Sequence, residues 1–185
     1  MNCRRKSSSG LEVFGAHDYP QASTDDMTAK AEISKGLLFY YFKNKKEFYL
    51  FLFDYCCEFF RSQVVTEDFI KITDFFDLME YAARIKYSII LQYPYMMNFV
   101  MKAYYSRREE VSEAMKTRIA STLGEIYTVY FKNIDFSRFK PNVDPQQLLQ
   151  MLTWMAEGYI QDKAIRNVEY RRVNAGFPYL AGNVP

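Results

Sequence analysis

The segment ISKGLLFYYFKNKKEFY, residues 33–49, concentrates side chains that can bind phosphate groups. Lysine ammonium groups pair with phosphates, and serine and tyrosine hydroxyls donate hydrogen bonds to them. The segment offers both kinds, at Ser34, Lys35, Tyr40, Tyr41, Lys43, Lys45 and Lys46. This chemistry suits the sugar-phosphate backbone of a nucleic acid. The alternative is a solvated helix end, which is the usual setting for lysines when no recognisable turn precedes them.

Two short helices joined by a tight turn would hold these side chains on one surface. Thr24, followed directly by two aspartates, predicts the cap of a helix that runs to about Ala31. Ser34 predicts the cap of the next helix, over residues 35–41. The letters AEIS between them supply a turn of the length that a helix-turn-helix needs. That motif lays its second helix in the major groove of DNA.

The second of these helices is predicted to have an inward and an outward face. Leu38 and Phe42 are four residues apart and can anchor the helix on a core. Gly36 has no side chain to hold the backbone away from DNA. The outward side chains are Leu37, Tyr40 and Tyr41. The sequence therefore predicts a helix that can approach a duplex closely.

Apolar residues recur with helical spacing along the rest of the chain and almost nowhere alternate as they do in strands. Pro94 predicts the start of a separate helix, while Asp144 and Pro145 suit the cap and first turn of the last one. The predicted helices cover residues 44–63, 74–92, 94–105, 111–130 and 148–159. The predicted fold class is all-α, with a helix-turn-helix module in residues 1–48 and a helical body in residues 49–185.

Composition excludes several classes of function. No apolar run approaches the roughly 20 residues of a membrane-spanning helix, and the basic, serine-rich start lacks the apolar stretch of a secretory signal. The three cysteines form no disulfide framework, and the single histidine leaves little material for a metal site or an acid–base pair. We therefore expect a cytoplasmic protein with no membrane contact, no metal, no cofactor and no catalytic residues. Residues 1–46 hold eight Lys or Arg against five Asp or Glu, which allows a nucleic-acid contact at this end.

The ordered series in residues 11–49 resembles the N-terminal region of the TetR family of bacterial transcriptional regulators. Members of that family are all-helical, usually dimeric repressors that bind operator DNA and leave it when a small effector occupies the helical body. The resemblance implies that this chain is such a regulator and not an enzyme. It also implies three partners, which are a double-stranded DNA operator, a small apolar or aromatic effector, and a second copy of the chain in a homodimer.

Roles for individual residues also follow from the resemblance. It implies phosphate contacts by Thr24 and Tyr41, and it places Lys45 at the start of a long fourth helix. Leu37 stands where the family often has a polar residue, so we expect it to touch a thymine methyl group. The DNA-binding residues predicted in this way are Thr24, Ser34, Lys35, Gly36, Leu37, Tyr40, Tyr41, Lys45 and Lys46.

The effector site is expected in the body, among the helices that follow Phe48. Methionines adapt to varied shapes and aromatic rings offer stacking faces, which together suit a cavity for an apolar molecule. Each candidate could equally be an ordinary core residue. The candidates are Tyr81, Met97, Met101, Tyr104, Tyr127, Tyr130, Trp154 and Met155.

Two segments depart from the family pattern. The serines and glycine of KSSSG, before Leu11, are poorer helix formers and predict a shortened or frayed first helix. NAGFPYLAGNVP, at the C-terminal end, holds too much glycine and proline for a long final helix. The apolar stripe of residues 148–159 then lacks a cover, so we expect a partner subunit to supply it.

Two other classes of function stay open at this point. One is a helical interaction module whose helix-turn-helix pairs with protein instead of DNA, and the other is a small-molecule-binding enzyme built on a helical bundle. Salt-dependent binding to duplex DNA separates the first from a regulator, because phosphate contacts release counterions. The second lacks a catalytic constellation in the sequence.

Overall fold

The computed structural model describes residues 3–105 and 109–165, and the regular structure in this part of the chain is helical throughout. The all-α fold class and the long predicted helices are confirmed. One short helix was not predicted, because four residues carry too little periodicity. The helices are α1 (Cys3–Ala16), α2 (Thr24–Ala31), α3 (Lys35–Phe42), α4 (Lys45–Val64), α5 (Glu67–Ile70), α6 (Phe75–Gln92), α7 (Pro94–Tyr105), α8 (Glu109–Tyr130) and α9 (Pro145–Ile165).

Side-chain caps begin the short helices α2 and α3. Ser34 caps α3 as predicted, since its hydroxyl oxygen accepts a hydrogen bond from the backbone N–H of Leu37 at 3.2 Å. The predicted cap of α2 is wrong by one residue, because Thr24 is already helical. Ser23 has the extended backbone that a cap requires, and its hydroxyl oxygen accepts from the N–H of Asp26 at 3.2 Å.

The turn between α2 and α3 depends on a left-handed residue. Glu32 has φ 55° and ψ 42°, a conformation that glycine adopts far more readily than other residues. Its N–H bonds to the carbonyl of Ala29 at 3.1 Å, and the N–H of Ile33 bonds to the carbonyl of Thr28 at 3.0 Å. These two bonds form a Schellman motif, which ends α2 and turns the chain towards α3.

The expectation of a shortened first helix is wrong, because α1 is continuous from Cys3 to Ala16. Gly10 supplies the reason, since its missing side chain lets α1 lie directly on α4. An added Cβ there would lie 2.6 Å from Cζ of Phe48 and 2.8 Å from Cδ1 of Leu52. Tertiary packing of α1 therefore outweighs the weak helix propensity of serine and glycine.

The main core lies where α1, α4 and α7 meet. Phe14 is at its centre, with its ring edge-on to Tyr49 at a centroid distance of 4.9 Å. Tyr49 in turn lies edge-on to Phe99 of α7 at 5.0 Å. Burial in this cluster raises the pKa of the Tyr49 phenol. Because the three helices share these rings, the helix-turn-helix and the body have a core in common.

Helix α4 crosses the boundary predicted between residues 48 and 49. Its first turns bury Phe48 and Leu52 against α1. Farther along, Nε of Arg118 donates to both carboxylate oxygens of Asp54, at 3.0 and 3.1 Å, which ties α4 to α8. The helix therefore belongs to both regions, and the division into two domains stays a prediction.

The loop between α8 and α9 folds back onto the start of α6. Phe139 in this loop lies edge-on to Phe75 with ring centroids 5.3 Å apart, and Phe136 contacts both Phe131 and Phe139. The segment DFSRFKPNVDP is thus a loop, as predicted. Its rings form an aromatic cluster that fastens it to the body.

Helix α9 begins at Pro145 as predicted, and the Asp144 carboxylate accepts from the backbone N–H of Gln146 at 2.8 Å. The helix packs only weakly on the other helices. The segment NAGFPYLAGNVP, residues 174–185, lies outside the described residues. The prediction that it forms no long final helix therefore stays a prediction.

The most extensive helix contact joins α1 to α7, and the two backbones meet at Gly15. A Cβ at Gly15 would lie 2.6 Å from the carbonyl oxygen of Tyr95, in the first turn of α7. A side chain cannot occupy that space unless the helices move apart. Gly15 is therefore a point where the backbone of the body lies directly against α1.

We expect Gly15→Ala to lower the free energy of unfolding by about 1–3 kcal/mol, because backbone atoms of α7 must move to make room. Gly124→Ala in α8 is the matched control. A Cβ at Gly124 meets nothing within 4 Å, so this change should raise the free energy of unfolding by about 0.5–1 kcal/mol. Urea unfolding measures both values. Equal stability of the two variants would contradict a tight contact at Gly15.

Candidate nucleic-acid interface and effector pocket

The outward face of α3 is the candidate nucleic-acid interface, and the core determines its orientation. Leu38 is 2% exposed, and the ring of Phe42 packs on those of Phe48 and Phe51 with centroids 4.7 and 4.9 Å apart. The opposite face of the helix must then point to solvent. Tyr40 on that face is 80% exposed.

Tyr40 and Tyr41 form a pair of exposed rings. They meet edge-on with centroids 5.3 Å apart, and Tyr41 is 56% exposed. Gly36 is exposed beside them, and Leu37 is half-buried. The outward placement predicted for both tyrosines therefore agrees with the structure, while Leu37 lies at the edge of this face. Large rings left in water mark a surface that another molecule can cover.

Among the described residues, none packs closely enough on Gly36 to require a glycine there. An added Cβ would find the hydroxyl oxygen of Ser34 at 4.0 Å as its nearest neighbour, and no described glycine has a positive φ. A glycine inside a helix costs about 0.5–1 kcal/mol relative to alanine. The open space in front of Gly36 is therefore room for a molecule outside the chain.

Lys35 has an ion-pair partner that the sequence did not reveal. Its Nζ lies 2.8 Å from Oδ1 of Asp25 on α2, and both side chains are at least half exposed. A pair in such a setting contributes about 0–1 kcal/mol. Lys35 can therefore exchange Asp25 for a phosphate at low cost. Thr24, a predicted phosphate contact, stands next to Asp25 at the N-terminus of α2.

The two lysines at the start of α4 have different surroundings. Lys45 is the first residue of α4, as the resemblance implied. Its Nζ donates to the carbonyl of Pro20 at 3.3 Å and lies 4.7 Å from the centre of the Tyr19 ring, so it ties α4 to the turn after α1. Lys46 is half-buried beside it. Phosphate contacts by Lys45 and Lys46 stay predictions.

A pocket of about 170 Å³ lies between α6 and α7. Among the predicted effector residues it brings together Met97 and Met101, one turn apart on α7. Lys86 and Asn98 supply a cation and an amide to an otherwise apolar wall. Lys86 and Asn98 were not predicted as pocket residues from the sequence, because the prediction rested on apolar stripes and these side chains are polar. The full lining is Lys86, Ile90, Leu91, Pro94, Met97, Asn98 and Met101.

Two of the other predicted effector residues belong to a second core cluster. The hydroxyl of Tyr81 shares a hydrogen bond with that of Thr66 at 2.8 Å. The ring of Tyr130 lies edge-on to Phe69 with centroids 5.3 Å apart, and burial raises the pKa of Tyr130 to about 12. These contacts are those of ordinary core residues.

The remaining predicted effector residues are dispersed. Tyr127 lines an open groove between α8 and the start of α9, and Tyr104 is half-buried in the last turn of α7. Trp154 and Met155 are 53% and 68% exposed on α9. The structure therefore does not bring the eight candidates into one pocket.

Helix α7 connects the pocket to the helix-turn-helix module. Pro94 and Met97 line the pocket, while Phe99 packs on Phe14 of α1 with ring centroids 6.0 Å apart. Between them the carbonyl of Tyr95 touches Gly15. Helix α7 is therefore in contact both with the pocket and with α1.

Cys56 and Cys57 are core thiols, as predicted. Burial raises the pKa of Cys56, and it raises that of Cys57 to about 11 despite a hydrogen bond from Thr122. Thiols of this kind are protonated at neutral pH and react slowly. Within residues 3–105 and 109–165, no cluster of His, Cys, Asp and Glu side chains could hold a metal ion. None of the described helices is both long and apolar enough to cross a membrane.

The chain thus combines a capped helix-turn-helix with an all-helical body that shares its core and carries a pocket. Residues 8–51 match the model for "Bacterial regulatory proteins, tetR family". The N-terminal module is thus that of the TetR family, and the chain as a whole has the fold of TetR-family transcriptional regulators. The family resemblance seen in the sequence is confirmed.

Solved structures of regulators share this fold over most of their length. The fatty acid degradation regulator FadR from Bacillus halodurans is 14% identical, with 100% of both chains covered and a TM-score of 0.78. FadR from Bacillus subtilis, solved in complex with stearoyl-CoA, is 15% identical, with 100% of both chains covered and a TM-score of 0.68.

A TetR family transcriptional regulator from Chloroflexus aurantiacus is 17% identical to the chain. The match covers 96% of this chain and 85% of that one, with a TM-score of 0.53. At such identities the likeness establishes the fold. No curated protein sequence matches the chain significantly.

Proposed function

We propose that this chain binds operator DNA as a homodimer through α3 and releases the DNA when a small apolar effector occupies the pocket between α6 and α7. The observation that carries DNA binding is the outward face of α3, where Gly36 and Tyr40 are exposed on a helix that the core holds in place. The match of residues 8–51 to the TetR family supports the same assignment. We further propose that the chain works in the cytoplasm and has no enzymatic activity.

Release of DNA requires an effector that binds two arrangements of the body with different affinities. Pro94 and Met97 line the pocket on the same helix whose Tyr95 carbonyl touches Gly15. An effector that parts α6 from α7 therefore tilts α1. Helix α2 follows because it packs on α1, and α3 follows because it packs on α2. The two α3 helices of a dimer then lose the spacing of successive major grooves, about 34 Å.

The pocket favours a narrow apolar effector with an anionic end. Its volume of about 170 Å³ is smaller than the roughly 300–1,000 Å³ of typical small-molecule sites. Lys86 offers the anion a cation, and Asn98 offers it an N–H donor. Because a FadR of the same fold was solved with stearoyl-CoA, a long-chain acyl compound is the first candidate to test. Its chain would fit only when α6 and α7 part and enlarge the pocket, which is the movement proposed for release.

The apolar face of α9 supports a homodimer. Met151, Trp154 and Met155 follow helical spacing on one face, and all three are more than half exposed. A contiguous face of this kind is typical of an interface. Because α9 packs weakly on the other described helices, it has room beside them for a helix from a second copy.

The change Gly36→Ala separates DNA binding from folding. We expect it to weaken binding to the protein's own promoter by at least about tenfold, or 1.4 kcal/mol, because the new methyl group fills the space in front of α3. The free energy of unfolding should stay unchanged or rise by up to about 1 kcal/mol. Fluorescence anisotropy with labelled duplex and urea unfolding measure the two effects. Gly124→Ala is the control, with a gain in stability and no change in DNA affinity.

DNA binding by the wild-type protein should also fall steeply as salt concentration rises, because each phosphate contact releases a counterion. A dimer that bound neither its promoter nor genomic fragments at low salt, without effector, would contradict the proposal. DNA affinity that did not respond to Gly36→Ala would remove this face of α3 from the interface.

A larger side chain in the pocket should prevent the effector from releasing the DNA. We expect Met101→Trp to retain operator binding but to raise the stearoyl-CoA concentration needed for release by at least about tenfold. Lys86→Gln should weaken release by stearoyl-CoA and by the free fatty acid, since both lose their cation. Lys132→Gln, at an exposed lysine after α8, is the charge-matched control. If the Met101→Trp variant released DNA at the same stearoyl-CoA concentration as the wild type, the effector site would lie elsewhere.

Assembly can be tested on the face of α9. We expect Met155→Glu to convert the dimer into a monomer, because two carboxylates would be buried where the helices meet. Ile70→Glu introduces the same charge at another exposed apolar residue and should leave a dimer. Light scattering at several protein concentrations gives the mass. A wild-type protein that stayed monomeric at high concentration would refute this part of the proposal.

A further inference from the structure

We infer that the operator half-site is read mainly through thymine methyl groups, which Leu37 and Tyr40 contact in the major groove. This inference rests on the proposed function and extends it from DNA binding to the kind of DNA sequence that is bound. It also assigns Lys35 a lesser part in base recognition than its position at the start of the helix suggests.

Helix α3 lacks the side chains that read base edges by paired hydrogen bonds. Guanine is read by Arg or Lys, adenine by Asn or Gln, and cytosine by Asp or Glu. Residues 36–42, with the sequence GLLFYYF, include none of these types. The helix presents hydrocarbon and phenol rings instead.

The polar residues at the start of the helix already have partners within the chain. The Ser34 hydroxyl oxygen accepts from the N–H of Leu37 at 3.2 Å and so serves as a cap. Lys35 is 2.8 Å from Asp25, and it would have to leave that carboxylate before reaching a guanine. The Asp25 carboxylate would then face the phosphates of the DNA without its cation. Because an exposed ion pair of this kind contributes little to stability, Asp25 biases Lys35 away from guanine only slightly, and the apolar character of residues 36–42 is the stronger reason.

Gly36, Leu37 and Tyr40 are neighbours on one helix face, because residues three and four apart lie side by side. Tyr41 holds the exposed ring of Tyr40 edge-on, with 5.3 Å between centroids and an interplanar angle of 87°. The open space in front of Gly36 allows a base pair to come close to this patch. The result is an apolar surface, narrow enough for a groove and fixed in orientation.

The C5-methyl group of thymine is the apolar feature that the major groove displays. An alkyl or aromatic side chain gains by burying it, while the other groups on the base edges prefer hydrogen-bond partners. Uracil presents the same donors and acceptors as thymine without the methyl group. Replacing thymine by uracil therefore tests this contact and leaves base pairing unchanged.

The experiment uses the full-length protein without effector. High-affinity duplexes are selected from a random pool, and each thymine of the selected half-site is then replaced singly by uracil. We expect selected half-sites rich in thymine. At the contacted positions the loss of one methyl group should weaken binding about fourfold, the equivalent of about 0.8 kcal/mol.

A double substitution cycle identifies the side chains. Leu37→Ala or Tyr40→Ala should bind the thymine and uracil duplexes almost equally at the position each side chain contacts. Tyr41→Ala should weaken both duplexes, because the predicted partner of Tyr41 is a phosphate. It should lower the preference for thymine only at the position that Tyr40 contacts, because the Tyr41 ring holds that of Tyr40 edge-on. Each variant is compared with itself on two duplexes, so partial unfolding cancels from the ratio.

Equal affinity of wild-type protein for thymine and uracil duplexes at every position would overturn the inference and leave DNA binding intact. Selected half-sites dominated by guanine, with affinity lost in Lys35→Ala, would overturn it as well. If no duplex were selected at low salt, the proposed function and this inference would both fail.

Discussion

The close contact between Gly15 of α1 and the backbone of Tyr95 in α7 is the constraint on which the rest of the structure depends. It brings α1 near enough to α7 for Phe14 to reach Phe99 and Tyr49, and this cluster is the main core. Helices α2 and α3 take their places from α1 and α4. The pocket lies on the far side of α7, so α7 lies between the pocket and α1. A regulator needs such a rigid connection, because a soft joint would absorb the displacement before it reached α3.

The orientation of α3 comes from packing and not from its turns. Glu32 before the helix and Lys43 after it both have positive φ, at 55° and 51°. Neither is glycine, so each end of α3 costs some conformational energy. Leu38 and Phe42 compensate by burying apolar surface in the core. The exposed rings of α3 carry a similar cost in water, which contact with another molecule would offset.

Local signals allowed most of the helices to be predicted from the sequence. Ser34 and Asp144 cap their helices because a cap depends on residues within one turn. The full length of α1 could not be predicted, because it depends on the close packing that Gly10 allows against Phe48, which is distant in sequence. The outward face of α3 followed from its spacing, whereas the ion pair of Lys35 with Asp25 needed the angle between two helices. The residues that line the pocket were the hardest to predict. An apolar stripe shows which side chains turn inward, but it does not show where neighbouring helices leave a gap. Trp154 is exposed because α9 has few neighbours among the described residues.

The continuity of α4 limits how this protein could be recombined with its relatives. A DNA-binding segment cut at residue 48 would end inside the main core, with Phe48 as its last residue and with Tyr49 and Leu52 left on the other piece. In a chimera with the body of another protein, α1 would pack against side chains that do not match its own. Chimeric regulators would therefore need to exchange α1, α4 and α7 together, so in this chain new effector responses are more readily gained by substitutions around the pocket than by exchange of whole modules.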